Sequence, residues 1–115
     1  MKIKEFCDRN NISPYTVRYY DKMGLFGMIH RQKTYRDFTE EDEFTLKKIT
    51  ILRNFGASIH FIQKLFEIEK KENLEEADYE FLVDLKNRAE PYLNHINMIM
   101  NVVTSAISKY ENTKE

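Results

Sequence analysis

SPYTVRYYDKMGLF, residues 13 to 26, is the stretch on which the reading of this chain turns. Ser13 followed by Pro14 marks a helix start, because a serine side chain caps the orphan amides of a first turn and proline is preorganised for the first helical position. Val17, Tyr20 and Met23 recur on one face at helical spacing, and Gly24 suits the left-handed residue that closes a helix. Tyr15, Thr16 and Tyr19 project from the opposite side. Upstream, Ile3, Phe6 and Cys7 fall at i, i+3, i+4 spacing. They predict a short first helix ending near Asn10 and Asn11, residues that tolerate left-handed backbone. Two short helices joined by about three residues make a helix-turn-helix.

Downstream, Gly27 to Phe38 turns β-branched, aromatic and basic: Ile29, His30 and Arg31, then Thr34, Tyr35 and Arg36, around a polar Gln32-Lys33 turn. That pattern predicts a two-stranded wing. Thr39 caps the next helix with Asp42 three residues on, and Glu40, Glu41 and Glu43 suit the positive end of its dipole. Phe44, Leu46, Ile49, Ile51, Leu52 and Phe55 are expected on its buried side, and Gly56 ends it. Ser58 caps a fourth helix whose Ile59, Ile62, Leu65 and Phe66 face inward. Residues 1–71 thus form one module, 72–78 an acidic connection, and 79–112 a long helix.

In that last helix Leu82, Leu85, Ala89, Tyr92, Ile96, Ile99, Val103, Ala106 and Tyr110 alternate in steps of three and four. Such a seam calls for a partner helix and assigns these residues to dimerisation. Leu93, Met100 and Ile107 add a second apolar stripe beside it. Pro91 removes one backbone bond inside the helix. Because the heptad phase continues across it, a kink is favoured over a break, with a break at Pro91 as the other reading.

The 115 residues, 42% apolar and 32% charged, fit one domain plus an appended element. Three glycines and two prolines are too few for the turns of an all-β fold. The fold class expected is therefore all-α dominated, a winged helix-turn-helix with a small wing followed by a long dimerisation helix. One cysteine, Cys7, excludes an intrachain disulfide framework. No leader and no long apolar run is visible, so the expectation is a cytoplasmic protein that does not enter the membrane. The net charge of -1 conceals an asymmetry. Residues 1–38 hold eight bases (Lys2, Lys4, Arg9, Arg18, Lys22, Arg31, Lys33, Arg36) and four acids (Glu5, Asp8, Asp21, Asp37), a basic pole of the kind an electrostatic footprint requires.

Arg18-Tyr19-Tyr20-Asp21 followed by Gly24-Leu25 resembles the recognition helix of the MerR family of bacterial regulators. Tyr35-Arg36 with Phe38, and Arg53 with Gly56 and Ser58, match two further family elements, so the resemblance spans roughly residues 1 to 70. Thr34 stands where a glycine is usual, and Gly27 and Met28 where prolines are usual. The resemblance implies a homodimer joined by an antiparallel coiled coil, acting on double-stranded DNA at a promoter by bending and untwisting it. RNA polymerase at that promoter is then a further partner. Two heads imply an inverted-repeat site.

The residues themselves agree with that expectation. Tyr15, Thr16 and Tyr19 can face a major groove, and Arg18 can reach a phosphate or a guanine edge. Arg31, Lys33, Tyr35 and Arg36 in the wing fix register along the backbone or in a minor groove. Arg53, with Ser58 and the amides at the start of the fourth helix, makes a third phosphate site, and Ser13 is counted with the DNA-binding residues. Val17, Tyr20, Phe26, Phe38 and Phe55 are assigned to the core. Metal-sensing cysteines of the resembled family have no counterpart here. Cys7 lies on an apolar face and His30, His60 and His95 lack ligand spacing, so neither metal nor cofactor is expected. No nucleophile pattern or phosphate-cradling glycine loop points to catalysis. An effector, if one exists, is unidentified and would bind near Phe81, Tyr92 or Met100. Two rival readings are a helical dimeric interaction module with a basic face, and an excisionase-like architectural DNA-binding protein.

Overall fold

Proline, serine, threonine and glycine punctuate this chain at the points where its helices begin and end. The structure is a computed structural model that describes residues 1–27, 31–32 and 35–114, with backbone alone at 31, 32, 35 and 36. Among the described residues the order is α1 (Ile3–Asn10), α2 (Pro14–Lys22), β1 (Arg31–Gln32), β2 (Tyr35–Arg36), α3 (Glu40–Asn54), α4 (Ile59–Lys70) and α5 (Glu76–Thr113). The architecture is mostly helical. Residues 1–71 and 72–115 form two units.

In the first unit each helix boundary has a chemical cause. Asn11 adopts φ 50° and ψ 51°, ending α1 in the left-handed region that asparagine tolerates. Ser13 Oγ accepts from Thr16 N–H at 3.2 Å and Pro14 opens α2. Thr39 and Asp42 form a reciprocal capping box, with Asp42 N–H donating to Thr39 Oγ1 at 3.2 Å and Thr39 N–H to Asp42 Oδ2 at 3.0 Å. Ser58 Oγ accepts from Phe61 N–H at 3.0 Å and opens α4. Gly24 and Gly56, at φ 79° and 89°, occupy the conformation that follows a helix and that a side chain resists.

Phe6 and Cys7 of α1, Val17 and Tyr20 of α2, Leu46 and Ile49 of α3, and Ile62 and Phe66 of α4 make the core together with Leu25, Phe26 and Phe38 from the connecting segments. At its centre Phe6 stacks on Phe38 with centroids 4.4 Å apart, while Phe26 meets both edge-on at 6.0 and 5.7 Å. Met1 exchanges backbone bonds with Phe38 at 2.6 and 2.7 Å, and its ammonium pairs with Asp37 at 2.9 Å. The chain leaving β2 is therefore fastened to the start of α1. Gln63 Nε2 donates to Met23 O at 2.8 Å and fixes α4 to the end of α2.

Helix α3 differs from the sequence expectation. Leu46 and Ile49 are buried and Leu52 is half-buried, but Phe44, Ile51 and Phe55 are 62%, 55% and 64% exposed. At 3.6 residues per turn the two sets lie on nearly opposite sides. Both are apolar, and the spacing did not say which one turns inward. Phe55 is thus not a core residue.

Strands β1 and β2 pair antiparallel, Arg31 with Arg36 and Gln32 with Tyr35. Met28, Ile29, His30, Lys33 and Thr34 lie outside the described residues.

In the second unit α5 opens at Glu76, inside the acidic stretch read as a connection. Its cap is again reciprocal, Glu75 N–H donating to Asp78 Oδ2 at 3.0 Å. The helix runs without interruption through Pro91, so of the two readings the break does not occur. No helix among the described residues is long and apolar enough to cross a membrane.

Candidate nucleic-acid interface

Burial of Val17 (0% exposed) and Tyr20 fixes the rotation of α2, and that rotation turns the remaining side chains outward. Tyr15 is 82% exposed and Tyr19 44%, Arg18 is exposed, and Thr16 is half-buried. One helix therefore presents two phenols and a guanidinium within five consecutive positions. These are the donors, acceptors and flat apolar rings with which a helix engages base edges and phosphates. Tyr20 of the Arg-Tyr-Tyr-Asp run is a core residue, its ring centroid 6.2 Å from that of Tyr19.

Ser13 and Ser58 are exposed, and the oxygen of each is taken by a helix amide. Each hydroxyl keeps its O–H donor, the part a phosphate oxygen accepts. At Ser13 that hydroxyl also lies 2.9 Å from Thr16 Oγ1, which either group can donate across. Arg53 is exposed and its Nη1 donates to Ala57 O at 2.9 Å, closing the α3–α4 turn. This bond escaped the sequence reading, which followed apolar periodicity and helix caps. Arg53 and Ser58 thus flank one turn, as the spacing suggested. Arg31, Tyr35 and Arg36 have their backbone on the paired strands. Lys33 lies outside the described residues.

Two other groups named from the sequence are Cys7 and His60. Cys7 is 3% exposed, and burial pushes its thiol above the ordinary value; Asp8 adds to the rise and Arg18 opposes it. A thiol in that setting is unreactive. His60 lines an open cleft of about 560 Å³ between the end of α2 and α4, with Met23, Gln63, Lys64, Glu67 and Lys70 among its walls. Among the described residues no group of three histidines, cysteines or carboxylates is arranged to hold a metal ion.

Residues 1–68 match the family model described as MerR HTH family regulatory protein. The chain belongs to the MerR family. The run from Arg18 to Asp21 with Gly24-Leu25 therefore carried the right family. Among solved structures this MerR-family chain is similar to HiNmlR, a MerR family regulator lacking the sensor domain and bound to promoter DNA. The identity is 22%, the match covers 98% of this chain and 91% of that one, and the TM-score is 0.65. A MerR family transcriptional regulator from Listeria monocytogenes is 26% identical over 96% of this chain and 86% of its own, with a TM-score of 0.63. The N-terminal part of MtaN, the Bacillus subtilis multidrug transporter activator, shares the fold at 19% identity and a TM-score of 0.51, covering 87% of this chain and 97% of that one. No protein of curated function matches the sequence.

Proposed function

We propose that this MerR-family protein is a sequence-specific transcriptional regulator that works as a homodimer on an inverted-repeat promoter site, by distorting the DNA. The observation that carries the reading is the outward face of α2, where Tyr15, Arg18 and Tyr19 stand exposed over a buried Val17 and Tyr20. Residues 1–71 are the DNA-binding part. Helix α2 enters the major groove, and β1 and β2 form the wing whose Arg31, Lys33, Tyr35 and Arg36 follow the backbone. Arg53 and Ser58 hold a phosphate at the α3–α4 turn, and Ser13 and Thr16 hold one at the start of α2. The promoter DNA bound by HiNmlR, a protein of the same fold, supports this assignment.

The seam of α5, from Leu82 to Tyr110, pairs two copies. Tyr92, Ile96, Ile99, Val103 and Tyr110 are exposed in the single chain, which is the condition a partner helix relieves. RNA polymerase at the same promoter is the second macromolecular partner, and no catalytic step belongs to the mechanism. Binding to duplex DNA at increasing salt tests the reading. Each neutralised phosphate contributes nearly one unit to the slope of log affinity against log salt. A flat slope would overturn DNA binding in favour of a protein-interaction module. Arg18→Ala and Tyr19→Ala are each expected to weaken operator binding by about 1–3 kcal/mol with the dimer intact. Unchanged affinity in both removes α2 from the contact surface.

A further inference from the structure

Helix α2 divides into two chemically different halves. No residue between Arg9 and Arg18 is charged, so the first turn of α2 and the segment before it are neutral. Arg18, Asp21 and Lys22 all fall in the second half. Within the neutral half Val17 is buried, and Thr16 is half-buried with its hydroxyl 2.9 Å from Ser13 Oγ. Pro14 and Tyr15 are left as the exposed residues of the first turn, and Pro14 has no amide donor.

The two outward phenols are held differently. Tyr19 is 44% exposed, and its ring centroid lies 6.2 Å from that of the core residue Tyr20. Tyr15, one turn earlier, is 82% exposed, more than any other large apolar side chain among the described residues, and its ring and hydroxyl have no partner among them. Tyr19 is thus steadied by the fold and suits a positioning contact. Nothing steadies Tyr15 until DNA surrounds it.

In a helix that lies in the major groove, the N-terminal residues are the ones that meet base edges. A phenol hydroxyl both donates and accepts, so it bonds an acceptor of guanine as readily as an amino group of cytosine or adenine and does not choose between them. The ring does choose, because the one apolar group on a base edge in that groove is the 5-methyl of thymine. Resting on the DNA-binding reading above, we infer that Tyr15 is a specificity-determining residue of α2 whose ring packs on one thymine methyl in each half-site. The rest of the helix agrees. Asparagine and glutamine, the side chains that take adenine with paired bonds, are absent from Pro14–Lys22, so an A·T pair under α2 is read through its methyl.

Selection from a random duplex pool supplies the operator. Each thymine of a half-site is then replaced in turn by deoxyuridine, which removes the methyl and leaves every hydrogen-bonding group of the pair in place. At one thymine the wild type is expected to lose about 4-fold in affinity, the value of one buried methyl, and about 15-fold when both half-sites are changed. Tyr15→Phe keeps the ring and should keep that sensitivity. Tyr15→Ala should bind the thymine and deoxyuridine operators equally, while Tyr19→Ala should weaken both by the same factor. Replacing the same thymine by cytosine and then by 5-methylcytosine should recover about 4-fold in the wild type and nothing in Tyr15→Ala. Because the Tyr15 ring touches nothing in the fold, Tyr15→Ala should unfold at the wild-type midpoint, which separates lost discrimination from lost structure. A wild type indifferent to deoxyuridine at every thymine, or a Tyr15→Ala that keeps the wild-type sensitivity, overturns the inference and leaves DNA binding standing. A pool from which no sequence is enriched overturns sequence-specific binding and the inference with it.

Discussion

Replacing Phe38 should loosen the fold at the point where the β1–β2 hairpin rejoins the core. Phe38 is 3% exposed, stacks on Phe6 at 4.4 Å with planes 19° apart, and meets Phe26 edge-on at 5.7 Å and 88°. Phe38→Leu keeps most of the buried hydrocarbon and deletes both ring pairs, each worth about 0.5–1.5 kcal/mol beyond area burial, so a loss of about 1–3 kcal/mol is expected. Phe38→Ala adds a cavity and should lose about 3–5 kcal/mol, a large share of the 5–15 kcal/mol typical of a whole domain. Urea unfolding followed by circular dichroism reads both values, the midpoint falling while the slope stays constant. Combining Phe38→Leu with Phe6→Leu should give a loss smaller than the sum by about 0.5–1.5 kcal/mol, because the stacked pair can be removed only once. Additivity of the two, or a loss below about 0.5 kcal/mol in Phe38→Leu, would refute the view that the ring cluster holds this junction.

Two further outcomes follow from the same packing. Thr39→Ala opens the capping box of α3 and should cost about 1 kcal/mol in thermal or chemical unfolding. No loss there would mean that Asp42 and water satisfy the amides unaided. Burial raises the folded-state pKa of the Cys7 thiol above its ordinary value of 9.0, so its contribution to stability is complete below that value and is lost as pH rises through the folded-state pKa. Stability measured between about pH 8 and 10 should fall more steeply in the wild type than in Cys7→Ala. Parallel curves would show that the thiol ionises in place.

Most of this fold was legible because its signals are local. Ser13, Thr39 and Ser58 cap the helices they were expected to cap, and Asn11, Gly24 and Gly56 take the positive φ that their positions implied. What was not legible required a choice between equivalent local patterns. Both sides of α3 are apolar, and only packing with the rest of the core decides that Leu46 and Ile49 turn inward while Phe44, Ile51 and Phe55 do not. The start of α5 was placed late because its cap is a glutamate paired with Asp78 rather than a serine or threonine. On the candidate interface, the amphipathic period of α2 sufficed to separate Tyr19 from Tyr20. The bond from Arg53 to Ala57 could not be read from periodicity at all.

That bond bears on how tightly the α3–α4 turn could hold a ligand. A free arginine surrenders close to 2 kcal/mol of rotamer freedom when it is immobilised, and that loss is subtracted from whatever it binds. With Nη1 already held by Ala57 O, much of the loss belongs to folding instead of binding. The rest of the guanidinium is then offered as a fixed fork, ready before any phosphate arrives. A lysine would carry the same charge to the same place but would have to be caught in motion.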